Sequence, residues 1–353
     1  MSRQIGLEDL DDIARGAAIL GAGGGGDPYL GRLLAENAIR RHGPVTLVDL
    51  DELADDDMVL PVAIMGAPTV IVEKPPAGTE FGTAVRALSA SLPREATHIA
   101  CLEAGGLNSM IPIATAAECG LPLIDGDGMG RAFPELQMVL FTLDGIASTP
   151  MAMADDKGNT VVLNTIDNPW SERLARSATV DMGCAAAICL YPHTGAQARS
   201  ALVPRTLSLA ATLGELVRTN SQGDTATALA EHLGGQVLMK GRVSDVSRRT
   251  VAGFARGTAV LSGLEEYDGA SMTLEFQNEH LVAIRDGAVV ASVPDLICVL
   301  DLDSGEPITT EAMRYGFRVS VVMLPCHDRW RTPEGLELVG PGYFGYDHQY
   351  VAP

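Results

Sequence analysis

The 353-residue chain is longer than one hydrophobic core usually organises, and 46% apolar with 20% charged residues suits a folded two-domain protein rather than a disordered one. A formal charge of −20 would repel phosphate backbones and anionic membrane surfaces, which argues against nucleic acid or a membrane as partner. The acidic opening from Met1 to Arg15, the lack of any run of roughly 18 apolar residues and six scattered Cys lead to the expectation of a soluble chain in the reducing cytoplasm.

The stretch from Leu7 to Gly43 reads as helix, glycine loop, helix. Leu10, Ile13, Ala14 and Ala17 share one face, and Leu30, Leu33, Leu34 and Ile39 share another. Between them GAGGGGDPYLG, 21–31, carries four consecutive glycines, which suits a close approach of backbone to a ligand or to another chain segment, or positive φ. Asp27 is placed to cap the second helix. GxGxxG occurs in passing, but a helical pattern precedes it and no P-loop lysine follows, so the dinucleotide reading fails its context. An interdomain turn and a loop lining an active site both remain open.

Short apolar runs follow at 45–50, 58–66, 97–106 and 121–128, with a helical stretch from Ser109 to Cys119. Strands that end in Gly or an acidic residue and alternate with helices predict an α/β domain with a mostly parallel sheet. Ligands gather beyond the carboxyl ends of such strands, where Gly66, Glu103, Asp125 and Asp127 fall. From Arg173 to Leu233 the chain is Ala-rich and reads as helical, with Pro204 starting or kinking one helix. From Gln236 onward, short β-prone runs punctuated by Gly and Asp predict a C-terminal mainly β domain. The boundary is placed near residue 170, giving 1–170 and 171–353.

Three segments could carry chemistry. In EAGGLNSMIP, 103–112, Glu103 suits a general base or ligand-orienting group, and equally a helix cap. In DGDGMGRAFPELQM, 125–138, the interspersed glycines let Asp125 and Asp127 converge, on a hard cation or in an ordinary carboxylate-rich turn; Arg131 and Glu135 stand at helical pairing distance. Cys326 and His327 are ligand types that suit zinc if Pro325 turns them to one site, or else a packed thiol beside a surface imidazole. The other histidines show no ligand spacing, and no G-x-S-x-G elbow supports a serine hydrolase.

Taken in order, GAGGGGDPYLG, MGAPTVIVEKP, EAGGLNS, DGDGMGRAFPELQM, FQNEHLVA, VPDLICVLD, GFRVSVVMLPCHDRW and GPGYFGYD resemble the S-methyl thiohydantoin desulfurase family over essentially the whole chain. The resemblance implies an α/β domain followed by a mostly β domain, association with hydantoinase and oxoprolinase-type genes, and hydrolytic loss of sulfur from a five-membered imidazolidinone ring to give a hydantoin. It also implies a divalent metal, with zinc the expected ion, which favours Asp125, Asp127, Cys326 and His327 as ligands. Water activated by that metal would attack the ring carbon while Glu103 or Asp127 handles the proton. Gly24, Gly25 and Gly26 amides, Asn108 and Arg131 are expected to supply donors to the ring carbonyl and any carboxylate tail. Gln277 and Asn278, with Glu279, reach from the β domain, so the site is expected between domains. A homo-oligomer is the default assembly. Two rivals stand beside this reading: a non-catalytic partner subunit of a hydantoinase or oxoprolinase-type enzyme, and a nucleotide-binding oxidoreductase, which predicts a strand directly before Gly21.

Overall fold

Buried apolar runs build the first sheet of the computed structural model, which describes residues 3–66, 68–220, 224–251 and 254–352. Its strands are β1 (Arg3–Ile5), β2 (Val45–Val48), β3 (Met58–Gly66), β4 (His98–Cys101), β5 (Leu123–Asp127), β6 (Met151–Ala154), β7 (Thr160–Leu163), β8 (Ala185–Cys189), β9 (His193–Thr194) and β10 (Val203–Pro204). The order is β1-β2-β5-β4-β3-β8-β6-β7, with β9 paired to β3 and β10 to β5. The four central strands β2, β5, β4 and β3 are parallel, and the outer ones run antiparallel. MVLPVAIMG in β3 is buried from Met58 to Met65 without alternation, as befits a strand covered on both faces.

The N-terminal part is therefore α/β around a mixed sheet with a parallel core, as the sequence predicts. One expectation fails in detail. The Ala-rich run Ala185–Cys189 is a strand between β3 and β6, not part of a helix. Alanine favours helix only weakly, and tertiary pairing overrides it here. Strands β8, β9 and β10, between residues 185 and 204, thereby belong to the first sheet. Pro204 does interrupt the helical stretch: one helix ends at Ala201 and the next spans Thr206–Thr219.

The second sheet comprises β11 (Gln236–Val251), β12 (Phe254–Gly263), β13 (Ser271–Gln277), β14 (Glu279–Arg285), β15 (Ala288–Ser292), β16 (Leu296–Asp301) and β17 (Arg318–Leu324). It is antiparallel throughout, in the order β15-β14-β13-β12-β11-β17-β16. Met272, Leu274 and Phe276 alternate inward along β13, the period of a half-buried strand. The C-terminal part is thus mainly β.

Helix α1 (Leu10–Leu20) packs against Thr206–Thr219 through two glycines: a Cβ on Gly16 would lie 1.8 Å from the Ala210 carbonyl oxygen, and one on Gly214 would lie 1.8 Å from that of Asp12. Backbone touches backbone there, which holds the start of the glycine loop against the first sheet. Among the described residues no helix is long and apolar enough to cross a membrane.

Candidate active site

The glycine loop joins α1 directly to α2 (Pro28–His42), whose N-terminus Asp27 caps by accepting the Tyr29 N–H. Ala22, Gly23, Gly25 and Gly26 all take positive φ, so glycine is required for most of the turn. With a helix before Gly21, the strand–turn–helix frame of a dinucleotide site is not built here. The loop bonds both halves of the protein instead. Gly25 O accepts from Leu107 N at 2.9 Å in the first half, while Ala22 O and Gly23 O accept from His280 N and Thr310 N, at 2.9 and 2.8 Å, in the second.

Beside this loop lies a cavity of about 460 Å³, a size that suits a small-molecule site. The ends of β3 and β4 contribute Gly66 and Glu103, the turn between β13 and β14 contributes Asn278 and Glu279, and Gly25 and Gly26 line it from the loop. Apolar walls come from Ile64, Leu107, Met129 and Phe133. Arg176, Arg248 and Arg314 also face it, as does Glu311.

Two carboxyls dominate its chemistry. Burial pushes Glu103 up to about 7, against the opposing effect of the Asn108 amide, whose Nδ2 donates to Glu103 Oε1 at 2.6 Å. Burial, and then repulsion from Glu103, pushes Glu279 up to about 8. Glu279 Oε2 is buried and has no hydrogen-bond partner among the described residues. Such an atom is costly to leave unmatched, so it marks a position where a ligand or water completes the site. Asn278, at φ +58, holds the tight turn that presents Glu279: its N–H donates to Ala255 O, and its Oδ1 accepts from Ala255 N.

The expected residues divide cleanly. Gly25, Gly26, Glu103, Asn108 and Asn278 line the cavity. Gly24 does not line it but lies under Glu279, where a Cβ would stand 2.2 Å from Oε1. Gln277 is buried in β13, paired across the turn with Glu279. Arg131 is fully buried behind the cavity wall, its guanidinium 4.5 Å from the Phe133 ring centroid and its N–H groups on the carbonyls of Ala132, Pro294 and Asp295. It ties the first half to the second, and its remaining Nη2 is buried with no hydrogen-bond partner among the described residues.

Asp127 is also withdrawn from the cavity. Its carboxylate accepts from the backbone N–H groups of Ala104, Met129 and Gly130, and so shapes the loop that carries Glu103. Asp125 accepts from Leu207 N and Ser208 N at 3.1 Å and from the Ser208 hydroxyl, capping Thr206–Thr219. The Cys326 N–H donates to Asp295 Oδ1, whereas His327 Nδ1 accepts from Arg329 N. These residues do not fit the implied zinc site, because N–H and O–H donors take the aspartate lone pairs that a cation would need. Among the described residues no group of three or more His, Cys, Asp or Glu is arranged to hold a metal ion.

Comparison with known proteins agrees with the architecture. Family models match both parts: S-Me-THD-like, N-terminal domain, over residues 8–165, and S-Me-THD-like, C-terminal domain, over 166–352. An X-ray crystal structure of a protein from Chromobacterium violaceum is similar with a TM-score of 0.82, at 24% identity over 99% of this chain and 99% of that one, a likeness of fold. No curated protein matches the chain.

Proposed function

The chain belongs to the S-Me-THD-like family, and from that footing we propose that it hydrolyses a small cyclic thiohydantoin or S-methyl thiohydantoin, releasing a thiol and leaving a hydantoin. The observation that carries this reading is the pair of buried carboxyls on one cavity, Glu103 held by an amide donor and Glu279 with an unmatched oxygen.

On an S-methyl thiohydantoin the reaction balances with these two groups alone. Ionised Glu103 takes a proton from water as its oxygen bonds to the ring carbon bearing sulfur, and neutral Glu279 gives its proton to the adjacent ring nitrogen. Glu279 then takes the hydroxyl proton as the carbonyl forms, the C–S bond breaks, and Glu103 returns its proton to the departing thiolate. One water is consumed and both carboxyls return to their starting states. Neighbouring carboxyls whose mutual repulsion separates their titrations suit such a division of acid and base. In a chain of charge −20, Arg176, Arg248 and Arg314 on the same cavity supply the cationic donors that an acidic ring substituent needs.

The test is thiol release from S-methyl thiohydantoin propionate by the purified protein. Activity should follow a bell in pH with limbs near 7 and 8, belonging to the pair. Glu103→Gln and Glu279→Gln should each lower kcat by about 100-fold or more. Folded variants within a few-fold of wild type would overturn the carboxyl assignment. A folded wild type inert toward thiohydantoin rings would favour the partner-subunit reading.

A further inference from the structure

We propose that Asn108 is a positioning residue that dictates which oxygen of Glu103 handles the proton. The inference rests on the carboxyl-pair reading of the site, but its geometry stands by itself. β4 pairs with β3 only over Val59–Val62. Ile64 lies beyond that pairing, and its backbone groups are met by the Asn108 side chain: Oδ1 accepts from Ile64 N at 2.7 Å, and Nδ2 donates to Ile64 O at 3.3 Å. The side-chain amide thus continues the sheet in place of a peptide group.

That double contact removes the ambiguity an Asn amide usually carries. Rotating it by half a turn would set Nδ2 against the Ile64 N–H, donor to donor, and Oδ1 against both Ile64 O and Glu103 Oε1, acceptor to acceptors. The Ile64 backbone groups lie within the buried β3, so this mismatch would be costly. Only a donor therefore faces Glu103 Oε1, at 2.6 Å, in either protonation state of the carboxyl. A proton on Glu103 must then sit on Oε2, and the same oxygen must take it from water. The same N–H favours the ionised form, holding the base active at lower pH than burial alone would permit.

Asn108→Ala removes all three hydrogen bonds, whereas Asn108→Asp keeps the acceptor for the Ile64 N–H and replaces the donor with a second carboxyl oxygen against Glu103. In Asn108→Ala the acid limb of the kcat profile should move up by about one pH unit, so that activity at pH 6 falls roughly tenfold further than activity at the optimum, and in Asn108→Asp the repulsion between the two carboxyls should move it further. A readout free of turnover accompanies it: carbon NMR titration of 13C-glutamate-labelled protein, with the Glu103 signal assigned by its loss in Glu103→Gln. Glu103 should titrate near 7 in wild type and higher in both variants. An unmoved Glu103 titration in folded variants would overturn the positioning role even if the enzyme is active. A shifted titration in a protein that turns over no thiohydantoin would keep the role and discard the hydrolase.

Discussion

Replacing Glu279 by Gln should make the protein more stable and less active, and the size of the first effect follows from the site. Glu279 is 2% exposed, and burial with Glu103 nearby moves its carboxyl from 4.5 to about 8. The native state then holds a proton that the unfolded chain has released across that interval. The native carboxyl's contribution is complete below pH 4.5 and is lost as pH rises through 8. At 1.36 kcal/mol per pH unit, ionising it in place costs up to roughly 5 kcal/mol above pH 8, shared in part with Glu103 through their repulsion. Glu279→Gln is nearly isosteric and cannot ionise. In thermal or urea unfolding it should match wild type within about 1 kcal/mol at pH 5 and exceed it by about 2–4 kcal/mol at pH 9. A difference that does not change with pH, or a variant less stable than wild type at pH 9, would refute the account of Glu279 as a carboxyl held neutral by its surroundings.

Four other substitutions probe the surrounding structure. Gly24→Ala would set a Cβ 2.2 Å from Glu279 Oε1 and so push the carboxyl aside; kcat should drop about tenfold or more, while Gly342→Ala, with nothing within 4 Å, leaves kinetics unchanged. Asp127→Asn can keep an oxygen where Oδ2 accepts from Ala104, Met129 and Gly130 but sets an amide donor where Oδ1 accepts from the Gly130 N–H, and should cost about 1–3 kcal/mol in denaturant unfolding. Cys326→Ala should leave the metal content of the purified protein unchanged by elemental analysis, since its neighbours do not form a ligand set.

The helix–loop–helix around the glycines, the parallel core and the late β domain were legible because periodicity and strand-end glycines report local geometry. Glu103 and Asn108, among the glycines after β4, and Asn278, at the break between two strands, stand out in the sequence because their segments depart from the flanking apolar pattern, and all three line the cavity. What stayed hidden depends on long-range packing. Asp125 and Asp127 have the composition of a cation loop, yet each faces backbone donors from segments distant in sequence, at Leu207 and Ala104. Arg131 looks like a surface partner for Glu135 but is buried against Pro294 and Asp295. Arg176, Arg248 and Arg314 carry no local pattern at all. Their meeting on one cavity follows only from the way the two sheets are set together.

The glycine loop has a consequence for how this protein can be divided. Family models part the chain at 165 and 166, yet β8, β9 and β10 of the second part complete the first part's sheet. One of the two buried cavity carboxyls belongs to each part, and the strip from Ala22 to Gly25 hydrogen-bonds to both. Under the proposed reaction, neither fragment would encode half an activity. Expressed as two polypeptides, the parts would be catalytically silent until reassociated, with turnover reporting fragment affinity. Exchange of one part between homologues would preserve the cavity only where the incoming turn seats its glutamate on the resident Gly24, where a Cβ would stand 2.2 Å from the Glu279 carboxyl.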